Sequence, residues 1–190
     1  MLLDVGCGGD KVEGCLGVDK FPLPGVDIVH DLNVFPWPIE SGSVSKVYMR
    51  HSLAHLDDVP AVMEELYRIC SKGALIHIVT PHFSSDNAFT DPTSKHFFGF
   101  RSLNFFCSNV KGFKYRYTDK TFTMVRRKIL VIERGFKFSS RSGSRFLLKT
   151  VLGFVVVWPE LLINSFPRIY ERFFAFIFPS GSIYFCLRRE

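Results

Sequence analysis

The chain has 190 residues, 47% hydrophobic and 22% charged, which fits one globular domain, or one domain with an appendage, and excludes a disordered chain. Its five cysteines are odd in number and form no C-x-x-C pair, which argues against a disulfide framework or a zinc knuckle and predicts a reducing compartment and no metal site. The formal charge of +6 hides a split: residues 1–80 hold 6 Lys/Arg and 11 Asp/Glu, net −5, while residues 81–190 hold 18 and 7, net +11. Phenylalanine divides the same way, because only Phe21 and Phe35 precede residue 81 and the other 19 follow it.

In chain order, Met1–Val5 is a short apolar run that leads into the turn Gly6-Cys7-Gly8-Gly9. Leu16–Asp19 is a second run ending in an acid, Val26–Asp31 a third, Val44–Met49 a fourth and Ala74–Thr80 a fifth. Near-continuous Val/Ile/Leu runs suit a parallel sheet covered on both faces. One helix is well marked before the fifth run. Asp57 and Asp58 supply its N-cap and Pro60 fits its first turn. Val59, Val62, Met63, Leu66, Ile69 and Cys70 recur at helical spacing, and Lys72-Gly73 close it. Strands alternating with such a helix predict an open α/β sheet, with ligands beyond the carboxyl ends of the strands.

The glycine turn and three acids predict a nucleotide site there. Glycines just past the first strand allow positive φ and close approach of a ligand. Asp19 ends the second strand, where a carboxylate accepts hydrogen bonds from ribose hydroxyls. Asp31-Leu32 end the third, placed for an adenine edge. Asp4 sits beneath the turn, placed to attract a cationic amino acid moiety. A dinucleotide needs a third glycine where Lys11 stands, and a pocket walled by Asp4, Asp19 and Asp31 is poor for phosphates. It suits a nucleoside carrying positive charge, which describes S-adenosylmethionine.

The segments LLDVGCGG, LGVDKF, VDIVHDLNVFPWPIESGSVSKVYMRHSLAHL and LYRICSKGALIHIVTP together resemble the class I S-adenosylmethionine-dependent methyltransferases, and within them the broad type 11 group. The resemblance covers about residues 1–82. It implies a Rossmann-like, mostly parallel sheet that ends in an antiparallel pair. It also implies that Asp4, Gly6, Cys7 and Gly8 line the methionine end, that Asp19 holds the ribose, and that Asp31 and Leu32 hold the adenine. Arg50 and His51 then face the methyl donor. Three departures stand beside it. Gly9 to Leu16 leaves room for a turn where the family has its first helix, which predicts an under-covered sheet face. The chain starts at the first strand, and Ala54 stands where the family commonly has Glu.

On the substrate side, the Asn/Asp-Pro-Pro-aromatic signature of nucleobase amino methylation is absent after the fourth strand, where Met49-Arg50-His51-Ser52 stands. His51, His55 and His82 lie near strand ends, and His51 and His82, which directly follow the fourth and fifth strands, are the better catalytic candidates. The polar segment His82–His96 reads as a lid or a surface loop, with Asp91, Lys95 and His96 as candidate substrate contacts.

Phe122–Glu133 and Ser182–Arg188 have strand character and fit the terminal antiparallel pair. A helical insertion separates them: a Ser/Gly-rich hinge at Ser139–Ser144, an apolar segment Phe146–Trp158, and a helix over Pro167–Phe178 with Ile169, Phe173, Phe176 and Ile177 on one face. The chain thus divides into a cofactor-binding core (1–82), a lid loop and remaining sheet (83–138), the helical apolar insertion (139–180) and the last strand (181–190), one domain overall. The insertion either covers the bare sheet face, forms a homodimer interface, or makes a cation-rimmed entrance for a lipid-like or anionic substrate or a peripheral membrane platform. Nucleic acid is disfavoured, because the aromatics fall in apolar clusters. Met1 leads directly into Leu2-Leu3-Asp4 without a charged-then-apolar leader, and the longest uncharged stretch of the second part, Phe173–Leu187, is interrupted by Pro179 and Gly181. The setting predicted is cytoplasmic, with a membrane surface as the other location. The function predicted is O- or C-methylation of a small or lipid-like acceptor; the alternative is a non-catalytic methyltransferase-like binding or assembly module.

Overall fold

The apolar runs become the strands of one seven-stranded sheet in the computed structural model, which describes residues 1–111, 115–131 and 158–190. The strands are β1 (Leu2–Val5), β2 (Leu16–Asp19), β3 (Ile28–Val29), β4 (Val44–Arg50), β5 (Cys70–Pro81), β6 (Phe122–Leu130) and β7 (Ser182–Arg189). Their order is β3-β2-β1-β4-β5-β7-β6; β3, β2, β1, β4 and β5 pair in parallel, and β7 runs antiparallel to both β5 and β6. The chain moves outward one way from β1 to β3 and the other way from β4, so the ends of β1 and β4 form a topological switch point, where open α/β sheets bind ligands.

Helix α1 (Val59–Ile69) is capped by Asp58, whose Oδ1 accepts from the Ala61 N–H at 2.9 Å. Its buried stripe of Val62, Met63, Leu66 and Ile69 meets alternate residues of the sheet, Leu3, Val47, Ile76 and Phe185 among them. Leu103 and Phe106 join the same core from a 3₁₀ turn over Ser102–Phe106. The helix ends earlier than Lys72-Gly73: Cys70 is already extended and pairs with Val44, and the strand begins there. Between the pairs Val44–Cys70 and Lys46–Leu75 the register shifts, and Gly73, at φ +81°, turns the backbone inside that irregularity. Its glycine serves the strand, not the helix cap.

Glu65 and Arg68 do a second task on α1. Buried Glu65 accepts the Trp37 N–H at 2.6 Å, and Arg68 donates to Glu65, to the Trp37 and Ile39 carbonyls and to Ser41 Oγ. The Trp37 indole N–H in turn donates to the Leu32 carbonyl at 3.1 Å. A half-buried ion pair on the helix therefore fixes the segment that follows β3.

Between β1 and β2 there are turns and no helix, as the spacing predicted. Polar bonds hold this short connection instead. Asp4 Oδ2 accepts the Val12 N–H at 2.8 Å, and Asp27 Oδ2 accepts both the Gly17 N–H and Lys11 Nζ at 2.6 Å. On the sheet face away from α1, Val79, Leu130, Tyr184 and Cys186 form a small second apolar cluster. Tyr48, His77 and Tyr184 stack across it, with His77 Nδ1 2.8 Å from the Tyr184 hydroxyl.

A one-turn helix, α2 (Asn87–Thr90), follows β5, and in the described part of the insertion helix α3 (residues 158–165) docks on the free edge of β6. Asn164 accepts the Ile129 N–H and donates to the Ile129 carbonyl, both at 2.8 Å, and so occupies the ladder position a further strand would take. The predicted hinge and most of the apolar segment, residues 139–144 and 146–157, lie outside the described residues. The predicted helix over Pro167–Phe178 is a single α turn, α4 (Pro167–Ile169), that widens into a π-helical turn over Tyr170–Phe174. Its expected apolar face is not the buried one. Ile169, Phe173, Phe176 and Ile177 are all more than half exposed, while Tyr170 and Ala175 are buried. Polar anchors decide this: the Tyr170 hydroxyl bonds to the Phe178 carbonyl and Ser180 Oγ, and Glu171 Oε1 accepts the Phe100 N–H. No described helix is long and apolar enough to cross a membrane.

Candidate functional site

A cleft of about 320 Å³ opens at the switch point, at the small end of ligand pockets (about 300–1,000 Å³). Its floor is the glycine turn. Gly6, at φ +70°, is where the chain end of β4 crosses: a Cβ there would lie 2.3 Å from Ser52 Cβ, and Ser52 Oγ donates to the Val5 carbonyl at 2.8 Å. Gly8, at φ +55°, has nothing within 4 Å of its would-be Cβ. One glycine admits a neighbouring strand end, and the other leaves open space above the turn.

Asp19 reaches back over this turn. Its Oδ2 accepts the Gly8 N–H at 2.9 Å and its Oδ1 the Phe21 N–H at 3.1 Å, so the carboxylate is oriented before any ligand arrives. Asp31 is held by the Asn33 N–H at 3.0 Å and lines the same cleft with Leu32. Phe21 and Leu23 add apolar wall opposite. Two acids at strand ends beside apolar surface suit a ribose and an adenine.

Asp4 and Cys7 sit lower. Asp4 is fully buried and does not line the cleft. Burial raises its carboxyl above the usual range, although the Val12 N–H and the nearby Arg50 act the other way. Arg50 Nη2 lies 3.0 Å from Asp4 Oδ2 and also donates to the Asp10 carbonyl, while Asp4 Oδ1 has no hydrogen-bond partner among the described residues. The expected attraction of Asp4 for a cationic group is thus shared with Arg50. The Cys7 thiol points at the backbone of β2, where a Cβ on Gly17 would meet its Sγ at 2.8 Å, and burial pushes it up to about 11. It packs the turn and does not line the cleft.

The rim carries two histidines. His51 lines the cleft at φ 58°, the single non-glycine residue at positive φ among those described, and its N–H donates to the Val79 carbonyl at 2.7 Å. Strained backbone of this kind clusters at functional sites. The second is His55, which sequence reasoning ranked below His82. His55 Nδ1 lies 3.0 Å from Thr93 Oγ1, and Thr93 Oγ1 donates to Asp91 Oδ1 at 2.7 Å. The Thr93 N–H donates to the same Oδ1 at 2.8 Å, and the two bonds from Thr93 hold the Asp91 carboxyl below its usual range. Because a carboxylate is the stronger acceptor, the hydroxyl proton faces Asp91 and the imidazole donates from Nδ1, which leaves Nε2 as the basic nitrogen. The sequence signal for this relay was present in Asp91-Pro92-Thr93, but no spacing rule joins it to His55.

His82 is not at the cleft. Its side chain is fully buried, with Nδ1 2.8 Å from Ser84 Oγ and Nε2 3.3 Å from Glu171 Oε1. It ties the end of β5 to the insertion, which corrects its selection as a cleft histidine. Lys95 and His96 also stand outside. Lys95 pairs with Asp57 and His96 Nε2 lies 3.3 Å from the Asp57 carbonyl, while both backbone N–H groups donate to the Ala54 carbonyl. They pin the 82–96 segment to the β4–α1 connection, and only Asp91 and Thr93 of that segment line the cleft. Ala54 serves here through its carbonyl.

Residues 1–109 match the family model described as "Methyltransferase domain". No curated protein matches the chain. Among solved structures, a SAM-dependent methyltransferase from Archaeoglobus fulgidus is similar over 99% of this chain and 85% of its own, at 15% identity and a TM-score of 0.59. The YcgJ protein of Bacillus subtilis is similar over 100% and 91%, at 13% identity and a TM-score of 0.54. The sheet order, the glycine turn with its two strand-end acids and the family match covering more than half the chain agree, and the chain belongs to the methyltransferase domain family, whose cofactor is S-adenosylmethionine.

Proposed function

We propose that the chain is a working methyltransferase that O- or C-methylates a small or lipid-like acceptor. The observation that carries the reading is the pre-oriented Asp19 carboxylate above the open space at Gly8. The residues present fit the cofactor. Asp19 would hold the ribose and Asp31 with Leu32 the adenine. Arg50, which lines the cleft and is itself held by the buried Asp4, would hold the carboxylate of the methionine end. When bound, S-adenosylmethionine supplies an electrophilic methyl group.

This chain's own residues orient the acceptor and take its proton. His55 Nε2, its partner nitrogen tied through Thr93 to Asp91, is arranged as a general base at the cleft rim, and His51 stands beside it. Positioning supplies much of the rate for an in-line transfer. Calorimetry with S-adenosylmethionine and S-adenosylhomocysteine tests the reading: saturable binding is expected, and Asp19→Ala abolishes it. No binding at millimolar ligand would leave the alternative, a non-catalytic module, which the Arg50–Asp4 pair closing the turn favours. A screen of cell extracts for labelled-methyl incorporation, comparing the wild type with His55→Gln, identifies the acceptor class.

A further inference from the structure

Two cavities outside the cofactor cleft meet along the insertion. The first, of about 710 Å³, is walled by apolar side chains that include Leu162, Ile163, Phe174 and Ile177. The single side-chain polar atom in its described wall is the Tyr170 hydroxyl, already bonded to Phe178 and Ser180. The second, of about 600 Å³, is lined by Arg101, Lys111, Arg127 and Arg168, with Asn104 beside them, and no carboxylate is among its described lining residues. Phe166 and Ile169 belong to both walls, so the cavities abut.

The four cations come from separate parts of the chain: the segment after β5, the connection before β6, β6 itself and α4. Arg127 is stacked on Phe100, 4.2 Å from the ring centroid, and bonded through Nη1 to Asn104. Burial is the main reason its guanidinium is driven below the usual range, and the Arg101 charge adds to it. Glu171, from the insertion, acts the other way on Arg127 but directs Oε1 to His82 and the Phe100 N–H. Four cations around one cavity make a local positive field, which favours an anion there. An apolar trough beside a cationic chamber is complementary to a molecule with an alkyl chain and an anionic head.

We propose that these joined cavities bind an anionic amphiphile, its chain against Leu162, Phe174 and Ile177 and a phosphate monoester head among Arg101, Lys111, Arg127 and Arg168. The same insertion is tied by Glu171 to His82 at the carboxyl end of β5, the strand next to β4 and the cofactor cleft. As the identity of the methyl acceptor, the inference rests on the proposed function; as a binding site, it does not.

The test is calorimetry on the full chain without S-adenosylmethionine, using dodecyl phosphate below its critical micelle concentration, inorganic phosphate and dodecyl maltoside. Dodecyl phosphate is expected to bind at least ~10-fold tighter than either of the others, with affinity falling as salt rises. Lys111→Gln with Arg168→Gln should bring it down to the maltoside level, and Leu162→Asn with Ile177→Asn, both exposed positions, down to the phosphate level. Equal binding of inorganic phosphate would overturn the proposal in favour of a plain anion site. Equal binding of maltoside would overturn it in favour of a plain apolar groove, and no saturable binding of dodecyl phosphate at millimolar concentration would remove it. Loss of the amphiphile with S-adenosylmethionine binding intact sinks this inference alone; the reverse pattern sinks the enzyme reading and leaves the site.

Discussion

Gly6 and Gly8 share a turn and a positive φ, yet their replacement by alanine should fail in different ways. At Gly6 an added Cβ lies 2.3 Å from Ser52 Cβ and 2.8 Å from its Oγ. Holding a non-glycine residue at φ +70° costs about 1–2 kcal/mol, and forcing a methyl into a packed contact costs about 1–3 kcal/mol more. Gly6→Ala is therefore expected to lose about 2–5 kcal/mol, a large share of a typical stability of about 5–15 kcal/mol. Ser52→Gly removes both clashing atoms and leaves Ser52 Cα at 3.7 Å, an ordinary contact. In that background Gly6→Ala should cost only the backbone part, so the double-mutant cycle yields a coupling of about 1–3 kcal/mol. Ser52→Ala keeps the Cβ and should give no relief. Gly8→Ala meets nothing within 4 Å, so its stability loss is limited to about 1–2 kcal/mol of backbone strain, while its Cβ enters the space where the cofactor would lie and should weaken S-adenosylmethionine at least ~10-fold. Urea denaturation and calorimetry read the two effects separately. A Gly6→Ala variant as stable as the wild type, or a Gly8→Ala variant with unchanged affinity, would refute the division of labour in the turn.

Asn164→Leu should destabilise by about 1–3 kcal/mol, since it strands the N–H and carbonyl of Ile129 at the sheet edge; hydrogen exchange at the Ile129 amide should accelerate, and unchanged protection would show that the edge is covered another way. Glu171→Ala leaves the Phe100 N–H unpaired and should cost about 1–3 kcal/mol in denaturant titration, whereas Glu171→Gln keeps an acceptor and should recover most of it. His77 gives a pH dependence. Burial, with Lys46 adding to it, holds this imidazole below its ordinary range, so its folded pKa lies under the unfolded value of about 6.5. Its contribution is then present above pH 6.5 and lost as pH falls through the lower folded value. Thermal melts at pH 7.5 and 5 should show a larger drop for the wild type than for His77→Phe; equal drops would place the acid sensitivity elsewhere.

The parallel half of the fold was legible because each strand is a short apolar run closed by a residue with a visible job. Asp19 ends β2, Asp31 follows β3 by two residues, and the Asp58 cap starts α1. The misjudged boundary, Lys72-Gly73, shows what periodicity alone leaves out. A glycine after a helix looks like a cap, but cross-strand pairing of Cys70 with Val44 claimed the backbone first. The insertion failed for a related reason. Ile169, Phe173, Phe176 and Ile177 share a helical face and read as its buried side, yet Tyr170 and Glu171 turn that face outward because their polar atoms find buried backbone partners. Satisfying such groups is worth more than hiding a few more apolar atoms.

The same logic separates His51, His55 and His82, and with them the proposed choice of base. His51 and His82 each directly follow a strand, but position after a strand says nothing about which way the ring turns. At His82 the ring turns inward, toward Ser84 and an acid 89 residues further along the chain. His55 is reached by a threonine 38 residues away that is itself held by Asp91. A base needs one nitrogen fixed and the other exposed to substrate, and only a partner across the cleft can fix it. The first part of the chain carries the acids proposed to hold the cofactor in local motifs, which one sequence displays. The acid that orients His55 and the cations of the joined cavities come from residues beyond 81, where the excess of positive charge and phenylalanine lies. These residues meet only through the sheet order and the insertion that the order positions. The acidic half is therefore readable as a motif, while the basic half becomes readable as a site only after folding.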